Sequence, residues 1–204
     1  MNLSWERIGA LCGILGPTLF TLFLALAVLV YPGDYNFITN HISDLGLTVT
    51  HGVPSPLNYL LIICSYTSAA ICLVPFWLSL RTVFFEPRRM YHTSLLGSIA
   101  GLIATVFLSA SALIPGDLLF QQHRWAAIFF FFFHSSAILV YAYAILATKE
   151  YGNLYALIGI VFVAILYVHA TIPGFDSPLV QKVIMFGFIF WSAFQSYKLL
   201  KTLA

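Results

Sequence analysis

Six long apolar runs, at about 8–30, 57–80, 93–114, 125–147, 153–172 and 178–197, alternate with short polar stretches. Each run approaches the roughly 20 residues that cross a hydrocarbon core about 30 Å thick. A spanning segment must satisfy its own backbone hydrogen bonds, so each run predicts a transmembrane helix. The connections are too short for a separate soluble domain. The expected fold class is therefore all-α, with residues 1–204 forming a single six-helix transmembrane domain. Ala25-Leu26-Ala27 imitates a signal-peptidase site, but the run around it continues to Val30. That is longer than the 7–15-residue apolar core of a leader, and the run reads as a helix.

Small and breaking residues refine these helices. Gly9, Gly13 and Gly16 give helix one a face for close packing, and Pro17 is expected to bend it. Gly97, Gly101, Thr105 and Ser109 fall four residues apart on helix three, which places that helix near the bundle centre. Ser55-Pro56 reads as an N-cap and first helical residue, as does Asp176 or Ser177 before Pro178. The five phenylalanines from Phe129 to Phe133 read as lipid contact and core filling.

One polar stretch stands out. Residues 31–46, Tyr-Pro-Gly-Asp-Tyr-Asn-Phe-Ile-Thr-Asn-His-Ile-Ser-Asp-Leu-Gly, carry Asp34, Asn36, Asn40, His41, Ser43 and Asp44 and no lysine or arginine. A weak repeat begins there. Tyr31-Pro32-Gly33-Asp34, Ile114-Pro115-Gly116-Asp117 and Ile172-Pro173-Gly174-Phe175-Asp176 each follow an odd-numbered helix and bring a Pro-Gly turn and an aspartate to one rim. Ordinary helix termination explains such turns as well.

Only 8% of the residues are charged and the mean hydropathy is +0.95. Soluble chains carry about a quarter charged residues, so lipid is the expected surrounding. Arg7, Arg81, Arg88, Arg89, Lys149, Lys198 and Lys201 fall on the side of both termini, against Arg124 and Lys182 on the other. The excess predicts cytoplasmic termini, in the plasma membrane by default. The net charge of +2 thus reports topology and gives no basis for nucleic-acid binding. Cys12, Cys64 and Cys72 lie inside spans without metal-binding spacing and read as packing residues.

The rim supplies Asp34, Asn40, His41, Ser43, Asp44, Asp117, Gln122, His123 and Asp176, with His169 and His134 beneath. Ionisable groups at membrane depth are costly and tend to face a cavity or a partner. His41, Asp44, Asp117, His123 and His169 have the donor types for a divalent metal such as zinc. The same histidines and carboxylates suit a general base and its orienting acid, with Ser43 as a nucleophile. Asp34, Asn40, Asp44, Gln122, His123 and His134 are candidate ligand contacts. His123 and His134 are eleven residues apart, about 1100° of helical turn, which leaves them roughly 20° apart on one face with His134 near mid-span. Ser65, Ser68 or a backbone carbonyl would satisfy a neutral His134. Ser43 and Asp44 also suit the cap of a short helix or turn. His51 and His92 read as surface residues. No helical His-x-x-x-His pair, Gly-rich phosphate loop or Gly-x-Ser-x-Gly elbow occurs.

Ile42-Ser43-Asp44-Leu45-Gly46 resembles the membrane family called domain of unknown function 998. Pro56 and Asn58, Ile114-Pro115-Gly116, His123 with Ala127, and Trp191 extend the likeness over nearly the whole chain. Asp44 would be the acidic position of that family's Ile-Ser-acid-Leu-Gly segment. A similar outer-loop pattern occurs in the six-helix DRAM and Sfk-type proteins, which are associated with lipid handling. The resemblance implies six helices and an outward-facing polar signature, and it brings no reaction. The seven-helix membrane hydrolases that assemble zinc from His and Asp share the residue inventory, but their paired histidines on one helix are missing here.

The leading functional expectation is binding or transport of a lipid or small amphiphile through the polar mouth. The alternatives are a membrane-embedded His/Asp enzyme, with or without metal, acting on a lipid-linked substrate, and a structural or assembly subunit in which residues 42–46 lock the first loop.

Overall fold

The computed structural model describes residues 4–172 and 177–203. Six helices account for most of them: α1 Trp5–Leu29, α2 Pro56–Leu80, α3 Arg88–Leu113, α4 Phe120–Ala147, α5 Asn153–Thr171 and α6 Pro178–Thr202. Their 19 to 28 residues give lengths of about 28 to 42 Å. All six are long and apolar enough to cross a membrane. The boundaries differ from expectation mainly at the polar ends. α3 starts at Arg88 instead of about 93, α4 at Phe120 instead of about 125, and α6 runs on to Thr202. Helical backbone continues past the apolar window wherever polar side chains reach the surface.

The helices form a ring in which each packs on the next and α6 closes against α1, while α2 and α6 also meet across it. Arg7 on α1 donates to the Leu203 carbonyl after α6 at 2.7 Å, so the two ends of the chain share one end of the bundle. The first loop lies at the other. Large apolar side chains such as Leu15, Leu22, Ile71, Leu96, Val106, Phe132 and Leu154 project outward from the ring.

Close approach is carried by the expected glycines. A Cβ added at Gly9 would sit 2.5 Å from the Pro75 carbonyl oxygen, and one at Gly101 would sit 2.3 Å from the Trp77 ring. The α3 stripe therefore lets α2 and α4 in, yet the most buried span is α6 and the least buried is α5. Buried polar groups pair across helices. Asn58 donates to the Ala27 carbonyl at 2.6 Å, Ser65 to the Phe20 carbonyl, and Ser98 to the Trp77 carbonyl. Asn58 thereby satisfies one of the carbonyls that the end of α1 leaves without an intrahelical donor.

The first loop folds more than an all-α reading expects. A hairpin of β1 (Val49–Thr50) and β2 (Val53–Pro54) turns on His51 and Gly52, both at positive φ, as a two-residue turn requires. The Ser55 hydroxyl donates to the Val53 carbonyl and accepts from no N–H of the first α2 turn, so the cap read at Ser55-Pro56 holds by position alone. Ser177 does cap α6, accepting from Val180 N–H. Asp176 and the third Pro-Gly turn, Pro173-Gly174-Phe175, lie outside the described residues.

Candidate functional site

The first loop is tied down at three points, and these ties engage most of the residues that looked chemical. A 3₁₀ turn spans Ile42–Gly46, with Ile42, Leu45 and Gly46 buried against the bundle. Asp44 accepts from the His41 N–H at 2.8 Å and from the Asn40 side chain at 3.4 Å, the carboxylate half of a capping box. Asn40 also accepts from the Asn36 N–H at 2.9 Å. Tyr35 donates to the His41 carbonyl at 3.1 Å. Burial, and then the charge of Asp44, pushes the Tyr35 phenol up, so the donor stays protonated.

The second tie runs to α6. Gln181 presents its carboxamide oxygen to Ile42 N–H and to His41 Nδ1, each at 3.2 Å. Lys182, with 2% of its surface exposed, donates to the Asn40 carbonyl and to Pro178 O, and its ammonium lies 5.1 Å from the Phe37 ring centre and 5.5 Å from that of Tyr35.

The third tie is Asp117, which accepts from Thr48 Oγ1 at 2.6 Å, Thr48 N–H at 3.0 Å and Val49 N–H at 3.1 Å. Burial alone would raise its pKa, but these hydrogen bonds outweigh burial and hold the carboxyl below the usual range. A depressed folded pKa means the tie is fully formed above the ordinary Asp value of about 3.9 and is lost as pH falls through the lower folded value. Asp117→Ala is expected to open residues 47–50 roughly tenfold more often, from about 1–2 kcal/mol of lost hydrogen bonding. Hydrogen exchange at Thr48 and Val49 checks it, and unchanged protection would mean the hairpin stands without the tie.

The candidate metal ligands do not converge. Among the described residues no three His, Cys, Asp or Glu side chains are placed to hold a metal. Asp44, Asp117 and His41 are spent on separate loop ties, and His169 faces a different cavity from His123. Asp34 and Gln122 are exposed and line neither the cavity at His123 nor the one at His169.

His134 lies deeper in the bundle. It is fully buried, stacked on Phe188 at 5.2 Å and edge-on to Trp77 at 5.5 Å. Ser65 and Ser68 are spent on other carbonyls, and the Phe188 backbone approaches without completing a hydrogen bond. Neither ring nitrogen has a hydrogen-bond partner among the described residues. His134 is part of the aromatic core and lines neither cavity. The shared face with His123 does hold, because Phe130 lines the upper cavity and also packs on the His134 ring at 5.3 Å.

What the fold does bring together is a polar chamber of about 40 Å³, lined by Ser43, Tyr66, Ser111, His123 and Gln181 among apolar neighbours. It has room for a few waters. His123 Nδ1 lies 2.8 Å from the Ile114 carbonyl oxygen, which can only accept. The ring proton is therefore on Nδ1, and Nε2 carries a lone pair in the neutral ring. Gln181, its oxygen fixed by Ile42 N–H, makes no hydrogen bond through its amide nitrogen among the described residues. The Ser43 hydroxyl and the Tyr66 hydroxyl have no hydrogen-bond partner among the described residues, and Tyr66 is more than nine-tenths buried.

Beside the chamber a groove of about 290 Å³ runs between α4, α5 and α6, walled by Ile128, Phe132, Leu166, Tyr167 and Ile184, with His169 at its lining. Phe131 and Gln181 line both cavities and lie where the two adjoin. Neither Gln181 nor Tyr66 was singled out from sequence as a site residue. The signal for Gln181 was an uncharged polar group one turn inside an apolar helix. Compared with protein-family models, curated proteins and solved structures, the chain matches none.

Proposed function

We propose that this chain is a multi-pass membrane protein, with both termini cytoplasmic, that binds a single-chain lipid or small amphiphile. The chain of the ligand occupies the α4–α5–α6 groove and its polar end meets the Ser43–His123–Gln181 chamber. The observation that carries this reading is the shared wall. Phe131 and Gln181 line both spaces, which sets the hydroxyl, imidazole and carboxamide groups of the chamber directly beside an apolar groove. A volume of about 290 Å³ is at the lower end for small-molecule sites, which suits one hydrocarbon chain better than a two-chain lipid. Polar groups without partners gain from a ligand that hydrogen-bonds them.

The orientation rests on the distribution of bases. At the end that holds the termini, Arg81, Arg89, Lys198 and Lys201 lie over the rings of Tyr91, Tyr143, Tyr151 and Tyr197. Basic groups paired with tyrosine suit a cytoplasmic interface, and the plasma membrane is the proposed location. The three loop ties support a role for residues 42–46 in closing the chamber, which also accounts for much of what a purely structural subunit would need.

Native mass spectrometry of the gently purified protein tests the reading. The wild type is expected to retain a single-chain amphiphile, and Ala170→Trp, which fills the groove from an exposed position, is expected to lose it. A wild-type protein that carries no such ligand, and takes up none from added lysolipid or fatty acid, would overturn it.

A further inference from the structure

We propose that the chamber is an acyl-transfer site, with Ser43 as nucleophile and His123 as its base, acting on a long-chain ester. The inference rests on the amphiphile reading above and assigns chemistry to the same site. Three placements support it. Ser43 and His123, 80 positions apart by their numbers in the chain, line one cavity of about 40 Å³. Both residues border a space that holds only a few waters, which puts a water-linked path between the hydroxyl and the imidazole inside the cavity.

The second placement is the orientation of His123. The bond from Nδ1–H to the Ile114 carbonyl fixes the tautomer, so the neutral ring has one basic nitrogen, Nε2. An orienting acceptor on the far nitrogen is the third member that a nucleophile–base pair needs, and here a backbone carbonyl supplies it. The carboxylates that the sequence offered for this role, Asp44 and Asp117, are engaged with the first loop.

The third placement is Gln181. With its oxygen held by Ile42 N–H and His41, its amide N–H groups are available as donors at the same cavity. A donor positioned where negative charge develops stabilises a tetrahedral intermediate, and the Tyr66 hydroxyl adds a second donor at the same cavity. Because Gln181 also lines the groove, a hydrocarbon chain lying there ends beside this donor set.

The reaction balances with water as co-substrate. The Ser43 oxygen bonds to the ester carbonyl carbon while its proton passes to His123 Nε2. The bond to the leaving alkoxy oxygen then breaks, and His123 returns the proton to the departing alcohol. Water attacks the acyl-Ser43 ester, gives a proton to His123, and releases the carboxylic acid as Ser43 recovers its hydrogen. Ester and water become acid and alcohol. The class of substrate is a carboxylic ester of a single long chain, such as a lysolipid or monoacylglycerol.

The test uses the full chain in detergent or nanodiscs with a long-alkyl fluorophosphonate and with p-nitrophenyl decanoate. Phosphonylation mapped to Ser43 is expected, together with decanoate hydrolysis that Ser43→Ala abolishes. His123→Gln should lower both rates by about 10²-fold or more. Ser43→Ala is expected to fold, since that hydroxyl bonds to nothing among the described residues, and its thermal unfolding and amphiphile retention are measured alongside. Retained amphiphile in the wild type with no label at Ser43 overturns the acyl-transfer site and leaves binding standing. No retained amphiphile and no label overturns both. Hydrolysis that persists in Ser43→Ala also overturns the assignment.

Discussion

Gly101→Ala is expected to destabilise the bundle by about 1–3 kcal/mol, and Gly101→Val to prevent a monodisperse folded protein, because each overpacks the α2–α3 contact. Helix propensity alone argues the opposite, since alanine is favoured over glycine by about 1 kcal/mol in a helix interior. Packing decides the sign. The added Cβ would meet two Trp77 ring atoms at 2.3 Å and a third at 2.8 Å, far inside contact distance. Trp77 has no free side to yield toward, for it is fully buried among Phe76, Tyr141, His134 and Trp191. Its backbone is also held, by the Ser98 hydroxyl at 2.7 Å. Thermal unfolding in detergent, followed by tryptophan fluorescence, measures the loss. Leu96→Ala on the same helix is the control, because Leu96 is 62% exposed. A Gly101→Ala protein as stable as the wild type would mean that Trp77 repacks at little cost.

Lys182→Met is expected to cost on the order of 2–4 kcal/mol in closure of the first loop. Methionine keeps the length and bulk of the stem, so the comparison isolates the ammonium. That group donates to two backbone carbonyls, and hydrogen bonds to a charged group are worth about 1.5–3 kcal/mol. It also lies over two aromatic rings, for a further ~0.5–2 kcal/mol where water is excluded. Against these stands the cost of burying a charge, for which apolar replacements of buried ion pairs are often neutral. The Lys182 case differs because the Asn40 carbonyl would be left without its donor. Faster hydrogen exchange across residues 35–44 is the readout. Unchanged exchange would show that desolvation of the ammonium cancels its contacts. Asn40 sits three residues from Ser43, so a released loop should also open the chamber and weaken amphiphile retention.

Much of the fold was legible in the sequence because bilayer physics leaves few choices. Apolar runs near the crossing length, with scarce charge, have to be helices, and their number and order follow directly. The glycine faces at Gly9, Gly13 and Gly101 were legible for a related reason, as small residues at helical spacing matter only where backbones meet. The helix ends were less legible. Arg88 and Phe120 begin helices five residues before the apolar windows do, since backbone hydrogen bonding does not stop at the lipid boundary.

The site was legible in inventory but not in partnership. Sequence alone determined that polar residues cluster at the first-loop end and that His123 opens α4. It could not say which polar groups are consumed by the loop itself. Asp44, Asp117, Asn40 and His41 look chemical by type, yet their hydrogen bonds are spent locally or on the loop ties. The depth of His134 was legible, but the aromatic rings packed around it were not. Only the tertiary structure set Ser43, Tyr66, His123 and Gln181 around one cavity and laid the α4–α6 groove beside it. The physical reason is separation. Hydropathy and capping act over a few residues along the chain, whereas a cavity is made by side chains from the first loop, α2, α4 and α6 whose distances depend on how whole helices pack.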